Sequence, residues 1–376
     1  MKKQHIQTQA VHAGEQKGTF PDVIQPIHLS TTFERNEDGT TGNYIYTRAD
    51  NPNRLAVEQK IAAIEGAKKA IAFSSGMAAI NALFETVLAP NSHIIIPNDC
   101  YHGTRQLLDG FFKRWNITSE MVDMTTVSNI EKVILPNTKL IWIETPSNPQ
   151  LKITDIKAVV TLANKYNITT VCDNTFATPI LQKTLAMGVD YVMYSSTKFF
   201  SGHSDILGGV VLTNKEDETS NTLRAYQKIA GAVPAPFDCW LLNRSLATFP
   251  LRFKVQCENA DKIANYLVNH PKIEKVFYPG LKTHENHDIA VQQMQNGFGS
   301  IVSILVKGNQ QNALEFASKL NIFKHATSLG GVESLVEHRR SVEGEHPVSP
   351  ENLLRLAIGI EYIDDLIEDI EQALQQ

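Results

Sequence analysis

Between residues 70 and 213 the chain repeats one pattern seven times: a short run rich in isoleucine and valine, then a turn or a helical stretch. The runs cover 70–75, 93–99, 117–124, 140–145, 168–174, 191–196 and 208–213, and most do not alternate strictly. Strands buried on both faces carry apolar side chains at successive positions, so these runs predict a mostly parallel seven-stranded sheet with helices outside it. Helical spacing at 77–88, 153–166 and 179–187 supplies the covering layer. Past about residue 245 the rhythm changes. A long helical pattern at 259–269 is followed by strand candidates at 299–306 and 353–360, and a last helix places Ile363, Leu366, Ile367, Ile370 and Leu374 on one stripe. Residues 1–55 are polar and irregular, with turn signals at 39–43 and at Asn51-Pro52. The expected organisation is an N-terminal arm (1–55), an α/β domain (56–245) and a smaller C-terminal α/β domain (246–376).

Composition narrows the function. A net charge of −5 gives no electrostatic footprint for nucleic acid or an anionic membrane. No apolar run approaches the roughly 20 residues that span a bilayer. The opening residues, Met1 to Thr8, lack the apolar region of a secretory signal. Cys100, Cys172, Cys239 and Cys257 are scattered, which suits reduced thiols in a cytoplasmic protein better than a disulfide frame or a metal site.

In an open parallel sheet, ligands bind beyond the carboxyl ends of the strands. After the first run, Ser74-Ser75-Gly76-Met77 opens a helix, where small residues and backbone N–H groups suit a phosphate; alone, it reads equally as a plain strand-to-helix turn. Asp173 ends the fifth run. A buried carboxylate there needs a partner, and a protonated ring nitrogen is one; a structural cap is the alternative. After the sixth run, Lys198 stands between hydroxyls (Ser195, Thr197) and aromatics (Phe199, Phe200). A partly desolvated lysine loses its proton more readily, as a Schiff-base amine must. A lone lysine is usually a solvated charge. Lysine, aspartate and a phosphate-type turn on strands of one sheet outweigh that reading. Tyr101 can lie against a heteroaromatic ring, Asn148 projects from the turn Pro146-Ser147-Asn148-Pro149, and Arg355 interrupts an apolar strand, where its planar fork suits a carboxylate.

Together these residues resemble the Cys/Met-metabolism family of pyridoxal-phosphate enzymes, which includes the cystathionine γ-synthases, γ-lyases and β-lyases and the methionine γ-lyases. The likeness runs from Val11-His12-Ala13-Gly14 to Leu356-Ala357-Ile358-Gly359-Ile360-Glu361. It is strongest at Tyr46-Thr47-Arg48, Ser75-Gly76-Met77-Ala78-Ala79, Glu144-Thr145-Pro146-Ser147-Asn148-Pro149, Asp173-Asn174-Thr175 and Ser195-Ser196-Thr197-Lys198. The resemblance implies an aspartate-aminotransferase-like fold (fold type I) and pyridoxal 5'-phosphate as cofactor. It implies Lys198 as the Schiff-base lysine and proton shuttle, Asp173 against the pyridine nitrogen and Tyr101 on the ring. Gly76, Met77, Ser195 and Thr197 would hold the phosphate, joined by Tyr46 and Arg48 from a neighbouring subunit of a homo-oligomer, commonly two catalytic dimers. Arg355, with Asn148 and the Ser328 backbone, would hold the substrate α-carboxylate. Glu333 matches a glutamate placed near the distal end of the substrate.

The implied reaction is elimination or replacement at Cγ of a sulfur amino acid, as in a cystathionine γ-lyase or γ-synthase. A β-lyase or broader C–S lyase is the alternative, and a non-catalytic pyridoxal-phosphate-binding protein a third. Gly103 stands where methionine γ-lyases often carry cysteine. Three features depart from the family pattern: Ile45 replaces an acid, His102 replaces a glycine, and residues 337–345 (Glu337-His338-Arg339-Arg340 onward) replace the usual His-Pro…Met-Thr-His stretch at the expected substrate entrance.

Overall fold

The computed structural model describes residues 4–15, 20, 22–344 and 347–375. Met1, Lys2, Lys3 and Glu345, which entered the sequence reading, lie outside the described residues. All seven predicted runs form strands: β1 (Lys69–Phe73), β2 (His93–Pro97), β3 (Thr118–Val122), β4 (Thr138–Glu144), β5 (Thr169–Asp173), β6 (Tyr191–Tyr194) and β7 (Gly209–Thr213). They form one sheet in the order β1-β7-β6-β5-β4-β2-β3. β2, β3, β4, β5 and β6 pair in parallel, while β7 is antiparallel to both β1 and β6. The reversal of β7 has a consequence for the site. The last residues of β1, β2, β4, β5 and β6 and the first residue of β7 all lie at one edge of the sheet.

A second sheet follows, in the order β10-β11-β12-β9-β8. Its strands are β8 (Ile273–Phe277), β9 (Ile301–Val306), β10 (Lys324–His325), β11 (Leu335–His338) and β12 (Leu353–Ala357). The predicted last helix is present as Ile363–Gln375, and its Leu366, Ile370 and Leu374 are buried against this sheet. The helix Phe249–Leu267 joins the two halves. Its first turns bring Phe249 and Phe253 into the core of the first sheet, and its last turns bring Ile263 and Leu267 into that of the second. Among the described residues no helix is long and apolar enough to cross a membrane.

Several expectations need correction. The predicted helix at 179–187 is broken into Thr178–Leu181 and a 3-10 turn Thr184–Met187, because Gln182 is extended and its buried amide donates to the Thr145 carbonyl (2.7 Å) and to Asn174 Oδ1 (2.7 Å). The pattern at 259–269 belongs to a helix that starts ten residues earlier, at Phe249, with Pro250 in its first turn. The arm is not wholly irregular: Ile6–His12 is helical, and Asn51 caps the helix Pro52–Glu65 by accepting from Asn53 N–H (2.9 Å). β8, β11 and the helices Glu218–Ala230 and Pro236–Leu246 were not anticipated.

Candidate active site

At the shared strand edge lies a cavity of about 210 Å³. Gly76, Met77, Tyr101, Asn148, Asp173, Ser195, Thr197, Lys198, Ser328 and Arg355 all line it. The sequence reading therefore converges on one place for ten of its candidates.

The β1 edge supplies the start of a helix. Ser75 caps Gly76–Val87 by accepting from Ala78 N–H (3.0 Å), leaving the first backbone N–H groups directed at the cavity end. A Cβ added to Gly76 would approach Ser195 Oγ to 3.0 Å, so glycine here keeps the helix start and the Ser195 hydroxyl together. β7 enters beside them: Thr197 Oγ1 accepts from Gly208 N–H (3.0 Å). A Cβ on Gly209 would come within 2.3 Å of the Ser75 carbonyl oxygen. N–H groups at a helix start, two hydroxyls and space enforced by glycine match a phosphate.

β4 and β5 bring two carboxylates side by side, for Glu144 and Asp173 are register partners. Both are buried, and neither forms an ion pair among the described residues. Burial, and then the neighbouring Asp173, push Glu144 well above the usual carboxylate range; burial also raises Asp173. Asp173 Oδ1 accepts from Thr175 N–H (3.0 Å), and Thr175 Oγ1 in turn accepts from Ser195 N–H (2.9 Å). Glu144 accepts the Tyr101 backbone N–H with both oxygens (3.1 and 2.9 Å), which fixes the tyrosine at the start of helix His102–Gly110. A Cβ on Gly103 would lie 2.5 Å from Tyr101 Cε1, so a side chain there would displace that ring. Two buried acids in no direct ion pair among the described residues, next to a positioned aromatic ring, fit a heteroaromatic group that carries its own N–H⁺.

Lys198 Nζ donates to Ser328 Oγ (2.8 Å). Burial, aided by the charges of Arg355 and Arg339, lowers its pKa to about 8. The peptide after it is held from behind. Arg252 donates to the Phe199 carbonyl (3.1 Å), and Phe199 and Phe200 pack on Phe253 and Phe249 with ring centres 4.8 and 5.2 Å apart. Ser328 has φ = +91°, a left-handed conformation costly for a side-chain-bearing residue. That backbone turns its carbonyl to Arg355 Nη2 (2.9 Å) while Arg355 Nη1 donates to Asn148 Oδ1 (3.0 Å). Asn148, Ser328 and Arg355 thus meet, and a carboxylate is the ligand that a so-held guanidinium suits.

Three candidates lie elsewhere in the chain. Tyr46 and Arg48 are outside the cavity lining of their own subunit; Arg48 Nη1 donates to the Lys228 carbonyl (2.7 Å). Glu333 is also outside the lining and accepts from the Ser204 hydroxyl, whereas Thr327, Ser328 and Leu329 reach the cavity from that segment. Sequence reasoning missed the roles of Glu337 and Arg339. Glu337 Oε2 accepts from Arg339 Nη1 (2.8 Å) and from Arg355 Nη2, and both arginines are 3% exposed. Burial opposes ionisation of Glu337, but Arg355 and Arg339 outweigh it and hold the carboxyl below its usual value. The signal was present, since charged residues recur in the apolar run around β11; their partners were not legible from the sequence.

A family model described as Cys/Met metabolism PLP-dependent enzyme matches residues 7–375. The cystathionine gamma-synthase of Mycobacterium tuberculosis is 42% identical over 374 residues, covering 98% of this chain and 96% of its own. The crystal structure of metB from Corynebacterium glutamicum superposes with a TM-score of 0.96 at 43% identity, over 99% of this chain and 98% of that one. Cystathionine gamma-lyase from Lactobacillus plantarum, complexed with L-serine, gives a TM-score of 0.93 at 37% identity, over 99% of each chain. The fold is thus the expected fold type I, and the chain belongs to the Cys/Met metabolism family of pyridoxal-phosphate-dependent enzymes.

Proposed function

We propose that the protein replaces or eliminates a substituent at Cγ of a sulfur-metabolism amino acid, as a cystathionine γ-synthase or γ-lyase does. The observation that carries this reading is the meeting of Lys198, Asp173 and the Asn148–Ser328–Arg355 group in one cavity. Lys198 would hold pyridoxal phosphate covalently, the Gly76–Val87 helix start with Ser195 and Thr197 its phosphate, Asp173 its ring nitrogen and Tyr101 its ring face. When bound, the cofactor supplies an electron sink for charge developed at Cα.

The remaining steps belong to the chain's own residues. Arg355, held by Asn148 and the Ser328 carbonyl, binds the α-carboxylate and fixes the Cα–H bond toward Lys198. Released from the cofactor, Lys198 Nζ takes the Cα proton. A second proton, at Cβ, follows before the γ-substituent departs, and the same amine is placed to move it. An amine whose pKa lies near 8 can both accept and return protons near neutrality.

Tyr46 and Arg48 support a shared site: absent from their own cavity, they lie in an arm that exposes Phe20, Val23, Ile24 and Leu29 to solvent. A second subunit covering that arm would bring them to its own phosphate cradle, so the working unit is at least a dimer.

Incubation with cystathionine alone tests the reading. Cysteine with 2-oxobutyrate marks γ-elimination, and turnover that requires an activated homoserine plus cysteine marks γ-replacement. Homocysteine with pyruvate would instead mark β-elimination and overturn the assignment to Cγ.

A further inference from the structure

The cavity contains one guanidinium more than the α-carboxylate requires. Arg339 lines it, is 3% exposed, and comes from the segment that departs from the family pattern. Glu337 takes one donor from Nη1 (2.8 Å). Nη2 approaches His102 Nδ1 (3.3 Å); because a guanidinium only donates, that ring nitrogen is the acceptor. Arg339 Nε is buried without a partner among the described residues. Among the described residues five N–H bonds meet two acceptors, in a pocket that water reaches poorly, and an unmet buried donor costs stability unless a ligand answers it. His102 also lines the cavity and packs against Tyr101 with ring centres 4.8 Å apart. Arg339 and His102 therefore form a corner beside the ring position, adjoining Arg355 through the shared Glu337 carboxylate.

We propose that Arg339 receives the departing oxyanion of a homoserine O-ester, which makes the enzyme selective for substrates that lose a carboxylate or a phosphate from Cγ. This rests on the reaction at Cγ proposed above. In that replacement the Cγ–O bond breaks with its electron pair on oxygen, and the acid leaves as its anion. The entering thiol forms the Cγ–S bond, and its proton accompanies the acid, so no oxidant or reductant takes part. A permanent cation with free N–H groups stabilises an oxyanion as it forms. It offers nothing comparable to a leaving thiol, which needs a proton that arginine does not give up. Glu337 keeps the two guanidiniums from repelling each other, and because both donate to its Oε2 they stand as neighbours, which suits a substrate whose two oxyanions sit at the ends of a four-carbon skeleton.

The test uses cofactor-loaded enzyme and compares wild type with Arg339→Gln. One substrate set is O-acetyl-, O-succinyl- and O-phosphohomoserine with cysteine as acceptor; the other is cystathionine, whose leaving group is a thiol. The variant is expected to lose about 10²-fold in kcat on the esters, with a smaller change in KM, and distinctly less on cystathionine, where only its effect on Lys198 and Glu337 is felt. Across acyl esters graded by acidity of the leaving acid, its rate should depend more steeply on that acidity than the wild-type rate does. Arg339→Lys should recover part of the loss. Calorimetric titration with acetate, succinate or phosphate should show binding to wild type and none to Arg339→Gln, and the acid that binds identifies the ester. Equal losses on both substrate sets, or an unchanged dependence on the leaving acid, would overturn the role. If Arg339→Gln does not retain cofactor absorbance and melting temperature, Arg339→Lys alone must show a loss of the same selectivity, smaller in size, for the esters over cystathionine. Wild type that cleaves cystathionine but no ester refutes this inference and leaves the reaction at Cγ standing; wild type that acts on neither refutes that reaction as well.

Discussion

Lys198 owes its chemistry to its surroundings. An ordinary lysine stays protonated far above neutrality, whereas burial and two arginines bring this one to about 8. The sign follows directly. Below about pH 8 the amine of the cofactor-free enzyme is mostly charged and cannot attack an aldehyde; above it, the neutral form dominates. The rate at which apoenzyme takes up pyridoxal phosphate is therefore expected to rise as pH passes through about 8, measured by absorbance after rapid mixing. Lys198→Ala should keep the wild-type melting behaviour while turnover falls by at least about 10²–10⁴-fold. Near-normal turnover in that variant would refute the role of Lys198. At this scale the sequence was most legible where chemistry restricts a residue type: the lysine, the aspartate and the arginine singled out in it all line one cavity. Where Glu333 lies was not legible, because a loop acid's sequence does not fix its side chain; it stands outside the cavity lining and accepts from the Ser204 hydroxyl. Glu337 and Arg339 were opaque for the opposite reason. Their meaning lies in a partnership across β11 and β12 with Arg355, eighteen residues away in sequence for Glu337.

Among the elements, the helix Gly76–Val87 covers the sheet with Ile80, Leu83 and Phe84 and brings its start to the cavity, where by the proposed function it would meet the phosphate. Ser75→Ala removes the side-chain acceptor for Ala78 N–H and should cost about 1 kcal/mol in denaturant unfolding. It should also raise the dissociation constant for pyridoxal phosphate, because the freed N–H groups lose their alignment. A variant with unchanged unfolding but the same loss of affinity would place Ser75 on the phosphate and not on the helix. Strands buried on both faces were readable because their runs are short, rich in β-branched residues and bounded by turn signals; β3, at the sheet's edge, is mostly exposed. The helix Pro236–Leu246 and the start of Phe249–Leu267 were not, because their apolar faces are interrupted by Arg244 and Arg252. The latter is buried to hold the peptide after Lys198. The predicted helix at 179–187 failed for a comparable reason, as one buried amide at Gln182 outweighs the local helical spacing of its neighbours.

For the molecule as a whole, the proposed division of the site between subunits makes a definite prediction. Lys198→Ala and a Tyr46→Phe/Arg48→Gln double variant should each be nearly inactive as pure proteins. Dissociated and reassembled together, they should form mixed dimers in which one site draws Lys198 from one chain and an intact arm from the other. Recovered activity in the mixture supports that arrangement, and none would mean that the arm serves its own chain or no site at all. The same scale shows what the linear order of the chain imposes on its production. Lys198 meets a serine 130 residues further on, and Arg355 meets an asparagine 207 residues before it. At about 5–20 residues per second, a ribosome needs roughly 10–40 s to travel from Asn148 to Arg355. Throughout that interval the nascent chain lacks Arg355, and for most of it Ser328 as well, so the proposed carboxylate anchor cannot exist until translation is almost complete.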